Sequence, residues 1–397
     1  MSDDFIFTSE SVTRGHPDKL CDQISDAIVD HCLRQDPGAL IIAECAVASG
    51  VLFISAHHGS RVGLTITDVA RTLIRAVGYP PEVFDADACA IMSSFKDHGA
   101  RHDRAPDLGG LTDAELDAVT ARDQATVFGY ACDQTPVLMP LPIWLAHRLA
   151  RRLDAASLRR ELGYLLPDAK TQVGIEYVGG EPKRIHSITL ETTQREGHVP
   201  SMPRLRQDLI EHAIVPVLAE ERLRADDHTH LFINPRGPMV GGGPAAHSGL
   251  TGRKTGIDTY GEYARHSGAA LSGKDPMRID RVGAYAARHA AKNAVAAGLA
   301  RECEVQLSYS IGMAGPVSLR VRSFGTGRIG DDEIGRRLLA NFDFRIGAIV
   351  RDLRLREGPA EHPDGFYQRL AVYGHMGRAD LDPPWERTDR AEALRGD

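Results

Sequence analysis

Residues 268–275 read GAALSGKD. Gly268, Gly273 and Lys274 complete G-x-x-x-x-G-K, the spelling of a nucleotide-binding P-loop, up to its eighth position. There a P-loop carries the Ser or Thr that holds Mg²⁺, and this chain has Asp275 followed by Pro276. A P-loop also follows a buried strand and opens a helix. The preceding GIDTYGEYARHS is too polar and glycine-rich for such a strand. The segment is a glycine-rich lysine loop of another kind, and it gives no support to a P-loop α/β fold.

The elements around it point the same way. Strands and helices mix without a regular βαβ rhythm, which predicts an α+β fold. PDKLCDQISDAIVDHCL spaces Leu20, Ile24, Ile28 and Cys32 as a helix, with Pro17 in its first turn. IIAECAVASGVLFISAH reads as two strands joined near Ser49–Gly50, and an amphipathic helix covers about residues 66–77. TDAELDAVTARD opens with a Thr-x-x-Glu capping box. A further helix follows Pro142, and SMPRLRQDLIEHAIVPVLAE is helical. KRIHSITLETT and THLFINPRG read as strands. DRVGAYAARHAAKNAVAAG is a helix ending at Gly298, and CEVQLSYSIG with PVSLRVRSFG forms a hairpin.

The chain has 397 residues, 42% hydrophobic and 25% charged, room for two or three domains. No apolar run is long enough to span a membrane. MSDDFIFTSES lacks the basic and apolar regions of a signal peptide, so a cytoplasmic location is expected. A net charge of −7 argues against a nucleic-acid binder. The six cysteines are scattered without C-x-x-C or metal-ligand spacing and are expected to be reduced, buried thiols.

Nine glycines fall within the 33 residues 241–273, interleaved and followed by Arg253, Lys254 and Lys274. Glycine lets backbone N–H groups approach anionic oxygens, and three cations in the segment suit a polyphosphate. Tight turns with solvated basic residues are the plainer alternative. In GHPDK, His16 falls at a helix N-cap and Asp18 just inside the helix. A helix N-terminus accepts anions, and Asp18 can hold a metal that bridges phosphates. Lys170, in PDAKTQ, reads as lying in a turn before a strand.

FTSESVTRGHPDKLCDQISDAI, PDAKTQV, GLTGRKTGIDTYG and LSGKDPMRIDRVGAYAARHAAKNAVAAGLA closely resemble, in this order, the signature stretches of S-adenosylmethionine synthetases. FGYACDQTPVLMPLPIWLAHRLA and AVYGHMGRADLDPPWERTD are similar to that family too. The resemblance implies three similar α/β-sandwich domains around a pseudo-threefold axis, interleaved along the chain. The expected units are 1–13 with 134–240, 14–102 with 241–281, and 103–133 with 282–397. It also implies homodimers or homotetramers with active sites between subunits. The implied reaction is attack of a thioether sulfur on C5′ of ATP, followed by hydrolysis of the expelled tripolyphosphate.

Residue by residue, the resemblance makes His16 the group near O5′, and Lys170, Arg253, Lys254 and Lys274 the phosphate cations. Asp123 matches an active-site aspartate, though ARDQA lacks the family's flanking glycines. Asp168, Met239, His247 and Ala270 fall at nucleotide-contacting positions. Asp18 and Asp280 match ligands of two Mg²⁺ ions, and Glu44 matches a K⁺ ligand.

The acceptor half departs from the family. His57 stands where a Glu helps hold methionine's ammonium, and His247 where an Asp faces nucleotide and methionine. His98 aligns with a Gln, Arg278 replaces a Lys, and Met239 replaces the aromatic partner of adenine. A histidine offers an ammonium neither the charge nor the second acceptor of a carboxylate. The sequence therefore predicts an acceptor without the amino group or with extra negative charge. The alternatives are ordinary methionine transfer compensated by another carboxylate such as Glu262, a tripolyphosphatase without transfer, and a silent paralogue. A zinc site from His57, His98 and His247 has no supporting spacing.

Overall fold

The computed structural model describes residues 4–59, 66–97 and 105–396, so His98 lies outside the described residues. In chain order the elements are β1 (Phe5–Val12), α1 (Pro17–Gln35), β2 (Leu40–Ala48), β3 (Val51–Gly59), α2 (Ile66–Val77), β4 (Ala90–Asp97), α3 (Asp113–Asp117) and β5 (Ala125–Cys132). Then come α4 (Leu141–Leu158), β6 (Leu165–Val178), β7 (Glu181–Gln194), α5 (Met202–Leu209), α6 (Val215–Ala219), β8 (His230–Ile233) and β9 (Gly249–Leu250). The remainder includes α7 (Thr255–Asp258), α8 (Ile279–Ala296), β10 (Glu302–Tyr309) and β11 (Ser318–Arg322).

The strands form three sheets, ordered β1-β6-β7-β8, β4-β3-β2-β9 and β11-β10-β5. One long helix backs each of them: α4 lies on β1 and β6, α1 on β2 and β9, and α8 on β5 and β10. The fold is α+β, three sheet-and-helix units. Strand partners are far apart in sequence. Phe5 pairs with Tyr177, and β9 returns to β2 from two hundred residues downstream.

α1 and α8 are buried on nearly every side, each between its own sheet and other helices. The alanines of AYAARHAAKNAVAA allow this close approach. A Cβ at Gly129 of β5 would fall 1.9 Å from the Ala287 carbonyl carbon, so only glycine fits beneath α8. The other face of the first two sheets stays open and carries large apolar side chains: Val178 and Phe232 on the first, Phe53 and Met92 on the second. Among the described residues, no helix is long and apolar enough to cross a membrane. All six cysteines are buried free thiols.

Two local readings need correction. Lys170 is inside β6, opposite Val12 and Glu191, because residues on either side pair with two neighbouring strands. α4 begins at Leu141, which places Pro142 inside its first turn, where a missing N–H costs nothing. The Thr112 capping box forms as predicted, and Gly298 takes the left-handed backbone (φ +73°) beyond α8.

Candidate functional site

The N-terminus of α1 is the centre of the site. His16 caps it in extended backbone, and its Nδ1 accepts the Asp18 N–H at 3.2 Å. Burial pushes the His16 ring down to about 3, Asp168 opposing and Lys254 reinforcing the shift. The ring is therefore neutral at physiological pH. With Nδ1 accepting, its one proton sits on Nε2, which is left as a donor.

Asp18 is almost fully buried, and its Oδ1 accepts the Leu250 N–H at 3.0 Å. Arg253 Nε lies 3.4 Å from Oδ1 and Lys254 Nζ 3.9 Å from Oδ2. The GLTGRK loop is thus pinned onto the start of α1, bringing His16, Asp18, Arg253 and Lys254 together. Lys170 and His247 are close enough to act electrostatically on His16.

A feature that the sequence reading missed holds this arrangement. Asp18, Asp22, Asp26 and Asp30 stand four residues apart on one stripe of α1, and each accepts backbone N–H groups from another segment. Asp22 takes Gly252 at 2.7 Å, Asp26 takes Gly273 at 2.8 Å, and Asp30 takes Phe366, Tyr367 and Gln368 at 2.9–3.0 Å. Successive carboxylates therefore lay the two glycine loops side by side along the helix. Arg281 completes the clamp, with NH2 on Asp26 at 2.5 Å and Nε on the Leu271 carbonyl at 2.6 Å. The signal was in the sequence, as four aspartates at helical spacing along α1.

In the loop 270–275, Lys274 Nζ binds Asp280 Oδ2 at 2.7 Å. Ala270 packs under Gly252, whose Cβ would fall 2.4 Å from it. Arg278 NH1 meets the exposed Asp123 at 3.0 Å.

His247 Nε2 lies 2.9 Å from Asp168 Oδ2, which also accepts the Gly243 N–H at 2.7 Å. The His247 ring stands edge-on to His16, centroids 5.0 Å apart. Among the described residues, His16, Asp168 and His247 are the one group of three such donors within 4.8 Å of one another. His247 therefore gathers with His16 and Asp168, and not with His57 as the zinc alternative required. Asp168 Oδ2 already holds two hydrogen-bond partners, so the group is a polar network. Beside it opens a cavity of about 300 Å³ lined by Asp168, Lys170, Glu191, Thr193, Met239 and His247. Met239 is fixed there by paired hydrogen bonds between its backbone and Gln194.

Glu44 and His57 project from the same open face of the second sheet, opposite Ser55 and Ile42 respectively. Among the described residues, neither belongs to the group that His247 forms with His16 and Asp168. Glu10, overlooked in the sequence, stands 3.9 Å from Lys254 and acts electrostatically on Glu262. Glu262 itself is held at φ +63° over Gly256.

The donor set fits a hard cation at Asp18. Among the described residues, its Oδ2 has His16 at 3.8 Å and Lys254 at 3.9 Å and accepts no hydrogen bond, which leaves it to an ion that prefers carboxylate and phosphate oxygens.

Sequence models of the S-adenosylmethionine synthetase N-terminal, central and C-terminal domains match residues 4–100, 118–239 and 241–387. The chain is 46% identical over 412 residues to the S-adenosylmethionine synthase of Synechococcus sp. (strain JA-3-3Ab), covering 98% of this chain and 97% of that protein. It is 43% identical over 408 residues to the S-adenosylmethionine synthase of Trichodesmium erythraeum, covering 100% and 97%. The corresponding protein of Thermosynechococcus vestitus is 45% identical over 406 residues, covering 98% and 97%. Matched by three domain models that together span residues 4–387, with residues 101–117 between them, and by relatives of nearly equal length, the chain belongs to the S-adenosylmethionine synthetase family.

Proposed function

We propose that this protein makes S-adenosylmethionine, as the relatives' name states for them, by transferring the adenosyl group of ATP to the sulfur of methionine. The observation that carries it is the grouping of His16, Asp18, Arg253 and Lys254 at the N-terminus of α1. Displacement at C5′ moves negative charge onto O5′ and the phosphates, so catalysis consists of placing donors and cations there beforehand. Neutral His16 offers its Nε2–H to O5′. Lys170, Arg253, Lys254 and Lys274 hold the triphosphate, and Asp168, Met239, His247 and Ala270 border the nucleoside. Mg²⁺ at Asp18 and Asp280 would neutralise phosphate charge that the side chains leave, and K⁺ would lie at Glu44. Asp123 anchors Arg278 on the acceptor side.

The division of the chain into 1–13 with 134–240, 14–102 with 241–281 and 103–133 with 282–397 is part of the same reading. Strand membership supports it, each sheet drawing on one of these sets. The open apolar sheet faces support self-association into dimers or tetramers. A cytoplasmic setting suits a protein of this chemistry.

A second reading is favoured by the His247–Asp168 pair. An aspartate at 247 would set two carboxylates against each other and call for a cation between them, such as an ammonium. Histidine removes that demand, which supports an acceptor lacking the amino group or carrying extra negative charge, received by His57, His98, His247 and Arg278. Incubation with ATP, Mg²⁺ and K⁺, with and without methionine, and mass spectrometry of the products separates the readings. S-adenosylmethionine at an ordinary rate establishes the first. Phosphate from added tripolyphosphate without any methionine product favours the second, or hydrolysis alone.

A further inference from the structure

A second cavity, of about 540 Å³, lies between α4, α6 and the turn 373–378, away from every residue assigned above. Its volume is in the range of small-molecule sites. α4 presents Trp144, Arg148, Arg151 and Arg152 to it, Arg159 follows just past the helix end, and the turn adds Tyr373 and Arg378.

The chemistry is that of a site for an anion with a flat ring. Arg148 lies 5.6 Å from the Trp144 ring centroid and Arg151 5.1 Å from that of Tyr373, so each aromatic surface carries a guanidinium. Arg151 and Arg378 share one carboxylate, Asp380, at 3.2 and 2.9 Å. Burial, with Arg378 adding to it, holds the Arg151 guanidinium below its ordinary range, a crowding that a bound anion would relieve. Arg159 makes no ion pair among the described residues. Arg148 also pairs with Glu221 and Arg152 with Glu161, 9% and 28% exposed, while Glu220 with 71% and Asp380 with 39% of the side chain exposed sit at the rim. Exposed pairs of this kind hold weakly and yield to a multivalent ligand.

The cavity is wired to the catalytic loop. Tyr373 donates its hydroxyl hydrogen to Asp154, whose Oδ2 also accepts the Arg14 N–H at 3.0 Å. Arg14 stands two residues before His16. His147, on the cavity wall, meets the Ser11 hydroxyl at 2.8 Å in β1.

We propose that this cavity is an effector site for a small polyanion bearing a planar ring, the chemistry of a nucleoside phosphate. Through Tyr373, Asp154 and Arg14, its occupancy adjusts the loop that carries His16.

The test uses the full-length protein and pyranine, a trisulfonated fluorescent pyrene, read by anisotropy with saturating tripolyphosphate filling the catalytic phosphate site. Pyranine is expected to bind, to be displaced by AMP, and to bind about tenfold or more weakly to Arg152→Ala/Arg159→Ala. Arg159→Glu, at an exposed position, gives the same answer if the double variant is unstable. Lys254→Ala should leave dye binding unchanged. No binding at millimolar dye, or binding lost in Lys254→Ala and kept in the cavity variants, overturns the proposal. For the coupling, dye added without tripolyphosphate should change the affinity for MgATP in the wild type and not in Tyr373→Phe, which still binds dye. An unchanged MgATP affinity in the wild type refutes the coupling.

Discussion

Substituting Gly273 by alanine tests whether the lysine loop works through rigid placement. Gly273 has φ +79°, a left-handed conformation that costs an alanine about 1–2 kcal/mol. Its new Cβ would fall 2.0 Å from the carbonyl oxygen of Ala43. That oxygen belongs to the backbone of β2 and cannot swing aside. Restoring an ordinary contact requires a shift of roughly 1 Å or more, and a misplacement of that size costs about 10²-fold in rate. The loop cannot absorb the shift locally, because the Gly273 N–H is held by Asp26 and its carbonyl by the Ala43 N–H, both at 2.8 Å. Lys274, the next residue, moves with it. Gly268, at the other end of the same octapeptide, is the control, since a Cβ there meets nothing within 4 Å. Steady-state kinetics of adenosyl transfer and urea unfolding of both variants are the assays. Gly273→Ala should lose about 10² in kcat/KM, while Gly268→Ala stays within about twofold of wild type and about 0.5 kcal/mol in stability. A Gly273→Ala enzyme with unchanged kcat/KM would refute the argument that Lys274 is placed by this loop.

Lys274→Ala itself should lower kcat by about 10²–10³, the usual loss for one preorganised electrostatic contact, and an undiminished kcat in steady-state assays would remove Lys274 from the phosphate site. His247→Asp should improve kcat/KM for methionine by about tenfold or more if histidine at this position disfavours an ammonium, and a methionine KM and kcat that stay put would end the altered-acceptor reading. His147 and His375 are buried, and burial first, then nearby arginines, holds both rings well below the ordinary histidine value of 6.5. The native state keeps them neutral while the unfolded chain takes up protons below about pH 6.5, so stability falls with acidity by about 1.4 kcal/mol per pH unit for each ring. In urea unfolding at pH 7 and pH 5, the wild type should lose about 1.4 kcal/mol per pH unit more than His375→Gln, and equal losses in the two proteins would contradict a buried neutral His375 ring.

Much of the fold was legible because its signals are local. Leucine and isoleucine spacing with Pro17 announced α1, the Thr112–Glu115 box announced α3, and Gly298 marked the end beyond α8. Each of these rests on contacts within about four residues, which sequence spacing displays directly. The long motifs around His16, Arg253 and Lys274 likewise pointed to the family. Lys170 was misplaced because a strand's extent depends on its partners: β6 runs through PDAKTQ only because β1 and β7 flank it. The octapeptide GAALSGKD spelled most of a P-loop, and nothing within it says that Gly273 must pass under Ala43.

The sequence by itself determined the helices, their caps, the stock of cations and carboxylates, and the family to which they belong. Only the tertiary structure decided that Asp22 and Asp26 hold the two glycine loops, that Arg281 clamps the lysine loop, and that His247 turns to Asp168 and His16. The physical reason is that a buried carboxylate is stable only with its hydrogen bonds made, and here the donors come from segments more than two hundred residues away. Such partners leave no periodic trace along the chain. They are chosen by which loops the three sheets bring against α1.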